Sequence, residues 1–219
     1  TVTLPGDAET QGYIRYYLAT QSETEFESAF ERTVTIPSDF AGQRVILRLN
    51  GVVNYGRLFV NGQLVRTHRG GKTTWNADIT NYVTPGQEAR ITIGVTCEIP
   101  KVDFMRIRGI TGDIALMAVP QNYISTLHAV TDLDDTYTNA TLTVEAGIMF
   151  NAGTTGQIKL TLKDPNGNNI ALQNDTITLT GSETSVVENS VANTINNVTL
   201  WDSEHPNLYT LTAELYQDG

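Results

Sequence analysis

Arg57-Leu58-Phe59-Val60-Asn61-Gly62-Gln63-Leu64-Val65 decides the fold class. A short β-prone run enters Asn61-Gly62 and a second run leaves it. Asn-Gly between two such runs is the strongest short-range hairpin signal, because both central residues of a type I′ turn need positive φ. Working outward, the same grammar repeats. Glu31–Ile36 alternates towards Pro37, and Arg44–Asn50 alternates apolar with polar. Ala89–Val95 and Gly112–Val119 follow. Beyond them come Ala140–Ala146 and Gln157–Leu162, which leads into the turn Asp164-Pro165-Asn166-Gly167. Asn169–Leu172, Thr176–Leu179 and Leu208–Tyr216 complete the set. Turn signals recur about every 8–12 residues, the rhythm of β-sandwiches. The one helix candidate, Glu23–Phe30, is short and lacks apolar periodicity, so it reads as a loop or a single turn. The chain is all-β.

The 219 residues carry 14 Lys+Arg and 24 Asp+Glu, a net charge of −10. The charge is unevenly spread. Residues 1–122 hold twelve basic and twelve acidic side chains, whereas residues 123–219 hold only Lys159 and Lys163 against twelve acids. That break predicts two domains, 1–122 and 123–219. It also excludes nucleic acid as a partner: one half is repelled and the other has no net field. No run of about 18 apolar residues spans a membrane. The single Cys97 excludes an internal disulfide and a cysteine-based metal site. Asp218-Gly219 after an alternating strand is a hairpin turn lacking its returning strand, so the sequence is expected to be a piece of a longer protein.

The catalytic inventory is thin. Gly-x-Ser-x-Gly, His-Glu-x-x-His, Walker and Gly-x-Gly-x-x-Gly patterns are absent. His68, His128 and His205 are scattered and read as surface or packing residues. Asp132, Asp134 and Asp135 do not keep the register of an EF-hand loop and read as a solvated turn. His68-Arg69-Gly70-Gly71-Lys72 leads into more strand instead of a helix N-terminus, so it reads as a tight exposed loop and not a phosphate site. No cofactor or metal is implied. The stretch Asp103-Phe104-Met105-Arg106-Ile107-Arg108-Gly109-Ile110 interleaves charged with large apolar groups. Such loops grip carbohydrate, the carboxylate and guanidinium taking hydroxyls and the apolar groups taking the C–H face. A loop whose Asp and Arg pair with each other is the equal alternative.

Seven segments, in order, resemble the non-catalytic front end of glycoside hydrolase family 2 (β-galactosidases, β-glucuronidases and β-mannosidases). Leu4-Pro5-Gly6 with Gln11-Gly12-Tyr13 is similar to its opening. Phe30-Glu31-Arg32 with Ile36-Pro37-Ser38-Asp39-Phe40 matches the next strand pair, and Val45–Gly51 the step after it. Phe59-Val60-Asn61-Gly62 is its "V-N-G" hairpin. His68, Gly70-Gly71, Asp78-Ile79-Thr80 and Val83 follow its next run. Gly109-Ile110 with Gly112-Asp113-Ile114 resembles the end of its first domain, and Trp201–Tyr209 the end of its second.

The resemblance implies a jelly-roll sugar-binding domain followed by an immunoglobulin-like sandwich. In such proteins a catalytic (β/α)₈ barrel comes next, and two hundred residues or more are needed for it. The acid/base and nucleophile glutamates belong to that barrel, so no Glu here takes either role. The resemblance makes Asp103 and Arg106 substrate-binding candidates at the barrel's rim, with Met105 where those enzymes usually carry Trp. An Asn that helps hold the sugar aligns at Val53, and Asn54, one residue on, is the third candidate. Trp201, Pro206 and Tyr209 read as core and turn residues of the second sandwich. The implied partners are a β-glycoside and the missing barrel, and a homo-oligomer stays open. The alternatives to a glycosidase fragment are a stand-alone carbohydrate-binding or adhesion protein and a purely structural pair of sandwiches.

Overall fold

Asn61 and Gly62 have φ of 50° and 83°, the left-handed pair that a type I′ turn requires. The hairpin around them joins β4 (Tyr55–Val60) to β5 (Gln63–Arg69). Its tip is tied down: Asn61 Oδ1 accepts from the Arg90 N–H at 2.9 Å and Asn61 Nδ2 donates to the Tyr82 carbonyl at 3.0 Å. The computed structural model describes residues 5–7, 26–53, 55–97, 109–150, 153–182 and 186–217. They divide into two units, Thr1–Pro120 and Gln121–Gly219.

The first unit also contains β1 (Gly6–Asp7), β2 (Phe26–Thr35), β3 (Arg44–Leu49), β6 (Trp75–Asp78), β7 (Glu88–Cys97), β8 (Gly109–Ile110) and β9 (Ile114–Val119). One antiparallel sheet has the order β2-β7-β4-β5 and the other β6-β3-β9, with β1 paired to β8. The sheets form a jelly-roll sandwich. Its core takes alternate residues of each strand: Val45, Leu47 and Leu49 from β3, Leu58 and Val60 from β4, and Ile91, Ile93 and Val95 from β7. Each such side chain contributes about 1.5–3 kcal/mol by burial. Arg44 is buried at the start of β3, and its guanidinium meets Asp78 at 3.2 Å. Asp78 also accepts from the Thr80 amide and hydroxyl, while the Thr80 hydroxyl accepts from the Val45 amide at 2.8 Å. The Asp-Ile-Thr segment therefore satisfies a strand end instead of binding a ligand.

β2 corrects one expectation. Phe26–Phe30 is strand and not loop, paired in register with β7 from Phe26↔Cys97 to Thr35↔Glu88. The ladder supplies ten residue pairs, which outweighs a weak local pattern.

The second unit is the immunoglobulin-like sandwich. β10 (Tyr123–Leu133), β11 (Ala140–Met149) and β15 (Val187–Ile195) make one sheet in the order β10-β11-β15. In the other, β12 (Thr155–Lys163) is central. β16 (Thr210–Gln217) pairs with its length on one side, and β13 (Asn169–Ile170) and β14 (Thr176–Thr180) share the opposite side. Val144, Ile148, Phe150, Ile158 and Ile177 are its most deeply buried large residues. Asn193 is buried among them and is satisfied by a reciprocal pair: its Oδ1 accepts from the Asn174 amide at 2.8 Å and its Nδ2 donates to the Asn174 carbonyl at 3.0 Å. β10 and β15 went unread in the sequence because polar residues occupy so many of their positions.

The Asp134 turn joins β10 to β11. Its carboxylate accepts from the amides of Thr136 and Thr138 and from Asn139 Nδ2, and these bonds, the Thr138 amide foremost, hold its pKa down at about 2. Trp201 corrects a second expectation. It is 61% exposed, not core. The Thr199–Leu208 loop closes on itself, Asp202 accepting from the amides of Glu204 and His205 and Asn207 Nδ2 donating to the Leu200 carbonyl. Only Tyr209 returns to the core, its hydroxyl accepting from the Thr199 amide at 2.8 Å.

Gly156 faces Phe150 so closely that a Cβ would lie 1.9 Å from the ring. Gly156→Ala should therefore destabilise the second unit by about 1–3 kcal/mol, the usual range for overpacking. Adding Phe150→Leu should return part of the loss. Denaturant unfolding of the three proteins checks this, and a Gly156→Ala chain as stable as the parent would contradict it.

Candidate functional site

Asp103, Arg106 and Asn54 lie outside the described residues, but the residues that flank them do not. The 98–108 segment leaves from Cys97 and returns at Gly109, and position 54 sits between Val53 and Tyr55. Val53 donates its N–H to the Gly109 carbonyl at 3.0 Å. On the other side of position 54, Tyr55 stands opposite Thr96, the residue before Cys97, in the β4–β7 ladder. Both departures of the 98–108 segment thus border both neighbours of position 54, at one end of the jelly roll.

The junction is built by backbone bonds. The amide of Asn50 donates to the Asp113 carbonyl at 3.0 Å and that of Thr111 to the Gly51 carbonyl at 2.8 Å, and Val52 bridges Ile110. Val52, Val53 and Ile110 are buried beneath. A buried apolar footing under a hydrogen-bonded crossing makes this end of the sandwich rigid up to the points where the candidate segments depart.

Beside the junction lies a cationic and aromatic cluster. Arg69 stands over the Tyr55 ring at 4.8 Å. His68 stacks on Trp75 with centroids 5.2 Å apart and planes 22° from parallel, and Arg66 lies 5.8 Å from the Trp75 ring. Arg66 also donates to the Asn76 carbonyl. His68 Nε2 lies 3.1 Å from the Thr73 hydroxyl, which donates to the Gly70 carbonyl at 2.8 Å. The 68–72 loop is therefore held by its own histidine, and His68 is a packing residue as the sequence indicated. The buried Trp75 Nε1 finds no acceptor among the described residues. Burial first, and the Arg66 charge second, push the His68 pKa below its ordinary 6.5. The cluster missed by sequence reasoning was hidden because His68 and Trp75 meet across a turn.

Among the described residues no group of three His, Cys, Asp or Glu side chains could hold a metal ion. The amides, hydroxyl, guanidinium groups and rings named above are bonded to or stacked on one another.

A depressed histidine pKa means that the unfolded chain binds the proton more tightly. His68 then contributes stability that is present above pH 6.5 and lost as the pH falls below it. His68→Phe keeps the stack and removes the proton. Its melting temperature should fall less between pH 7 and pH 5.5 than that of the parent chain, and equal slopes would contradict the assignment.

Known proteins share this architecture. Residues 3–120 match "Glycosyl hydrolases family 2, sugar binding domain" and residues 122–219 match "Glycosyl hydrolases family 2". A β-galactosidase of Clostridium acetobutylicum is 30% identical over 181 residues, 80% of this chain and 19% of that protein. A β-galactosidase of Priestia megaterium is 29% identical over 196 residues, 85% of this chain and 18% of that protein. The crystal structure of Bacteroides uniformis β-glucuronidase superposes with a TM-score of 0.76 at 24% identity, covering 98% of this chain and 26% of that one. The chain spans about a fifth of the length of the curated relatives it matches. With both its units matched, the chain belongs to glycosyl hydrolases family 2, as the sugar-binding domain and the immunoglobulin-like domain that follows it.

Proposed function

We propose that this chain is the non-catalytic, sugar-recognising and bracing portion of a family 2 glycosidase that cleaves terminal β-glycosides, β-galactosides first among them. The observation that carries the reading is the shared anchorage of the 98–108 segment and position 54 at Val53–Gly109 and Tyr55–Thr96. Eleven residues that must return to their start reach at most about 18–20 Å, half their extended length. In this reading Asp103, Arg106 and Asn54 share one sugar subsite. Asp103 accepts from sugar hydroxyls, Arg106 and Asn54 donate to them, and the water-excluding wall opposite belongs to the barrel of the longer polypeptide. The β-galactosidase names of the relatives above favour galactosides.

Hydrolysis of a glycoside needs two carboxyl groups at about 5–10 Å flanking the bond, and in this reading both belong to the barrel. The 219-residue chain should leave nitrophenyl β-galactoside, β-glucuronide and β-mannoside unhydrolysed. Turnover above a buffer blank that survives repurification would overturn the assignment.

Charged hydrogen bonds contribute about 1.5–3 kcal/mol each once desolvated. In the isolated chain water competes at the open rim, so Asp103→Ala should barely alter its weak sugar binding. In the full polypeptide the same change should lower kcat/KM roughly ten- to a hundredfold, about 1.4–2.7 kcal/mol. Were Asp103 only the partner of Arg106 or Arg108, the melting temperature would fall and kcat/KM per folded molecule would hold. Melting and kinetics on one mutant protein separate the two.

A further inference from the structure

Asn-Gly occurs three times, at Asn50-Gly51, Asn61-Gly62 and Asn166-Gly167. The pair carries its own chemistry. With no side chain on the glycine, its amide nitrogen can reach the asparagine carboxamide carbon and close a five-membered ring. What holds the carboxamide decides whether it does. Asn50 Oδ1 accepts from the Thr74 hydroxyl at 2.9 Å, and Gly51 is buried. Asn61 is held through both carboxamide atoms, by the Arg90 amide and the Tyr82 carbonyl. Asn166 is different. It is exposed, its carboxamide bonds to none of the described residues, and a Cβ on Gly167 would meet nothing within 4 Å.

One restraint remains at the third pair. Asp164-Pro165-Asn166-Gly167 is the turn between β12 and β13, with Gly167 at φ 85° and its amide donating to the Asp164 carbonyl at 2.9 Å. Asp164 Oδ1 accepts from the amides of Asn166 and Asn168 at 2.9 and 2.8 Å, and its Oδ2 from Asn168 Nδ2 at 2.9 Å. The turn is closed around the Asp164 carboxylate, and the attacking nitrogen stays engaged until it opens. An exposed turn at the end of a short pairing opens readily, and β13 has only the pairs Leu162↔Ile170 and Lys163↔Asn169.

We propose that Asn166 is a site of spontaneous covalent modification, where the β12–β13 turn converts to aspartate and isoaspartate at a rate governed by opening of the Asp164 turn. Solvent base takes the Gly167 amide proton, and the nitrogen attacks Asn166 Cγ. The new C–N bond forms as Cγ–Nδ2 breaks, and ammonia leaves. Water then opens the cyclic imide at either carbonyl, and nothing is oxidised or reduced. Opening at Cγ gives aspartate at position 166. Opening at the backbone carbonyl leaves the chain running through the side chain, one carbon longer. Either product adds a negative charge beside Asp164. The isoaspartate also lengthens the turn, so the amides of Asn166, Gly167 and Asn168 lose their register with Asp164, and Ile170 loosens from the second core.

Peptide mapping by mass spectrometry tests this on the 219-residue chain, folded and unfolded in guanidinium chloride, in mildly alkaline buffer. Unfolded, the three pairs should react at similar rates. Folded, Asn166 should react within about tenfold of its unfolded rate, whereas Asn50 and Asn61 should slow by about a hundredfold or more. The product at position 166 should include isoaspartate, which an isoaspartyl methyltransferase labels. Asn166 slowed as much as the other two, or aspartate without isoaspartate, overturns the proposal. Asp164→Ala removes the carboxylate's bonds and should raise the Asn166 rate by about threefold or more. No rise, or a rise that comes only with loss of the second unit's melting transition, overturns the control by the turn.

Discussion

The crossing of Asn50–Val53 with Gly109–Asp113 is the constraint on which the candidate site depends. Three backbone hydrogen bonds of 2.8–3.0 Å tie the end of β3 to the strands on either side of residue 111. They are possible because Gly112 presents no side chain: a Cβ there would lie 2.1 Å from the Asn50 carbonyl oxygen. The Gly-Ile-x-Gly-Asp spacing at 109–113 is therefore a packing requirement. The same crossing holds Val53 and Gly109, the described residues that flank position 54 and the 98–108 segment.

Period-two alternation made most strands legible, and Asn61-Gly62 made the hairpin legible. The strands that escaped reading are those whose polar residues serve the interior or the solvent. β15 reads Val-Glu-Asn-Ser-Val-Ala-Asn-Thr-Ile, and its Asn193 looks like a turn former until Asn174 satisfies it on both sides. Phe26–Phe30 escaped because its pattern is weak and its support comes from β7, some sixty to seventy residues away. Pairing at that distance leaves no local trace.

Residue chemistry singled out the Asp103–Ile110 stretch, and the resemblance alone joined Asn54 to it as a candidate. Asp103, Arg106 and Asn54 have no joint spacing that physics alone would single out, and the described residues that flank them meet only as register facts: Tyr55 against Thr96, Val53 against Gly109. Trp201 was misread for a related reason. Large aromatics are usually buried, yet the Asp202 carboxylate organises a loop that turns this one outward. Leu208 and Tyr137 of the same unit are exposed as well.

Gly112→Ala in the full polypeptide bears most directly on the claim that the crossing positions the sugar site. The added methyl must push Asn50 and Gly112 apart, and the departures at Val53 and Gly109 move with them. Measured on protein still folded at the assay temperature, kcat/KM for its best β-glycoside should fall at least tenfold. Unchanged kcat/KM in a folded Gly112→Ala enzyme would contradict the account.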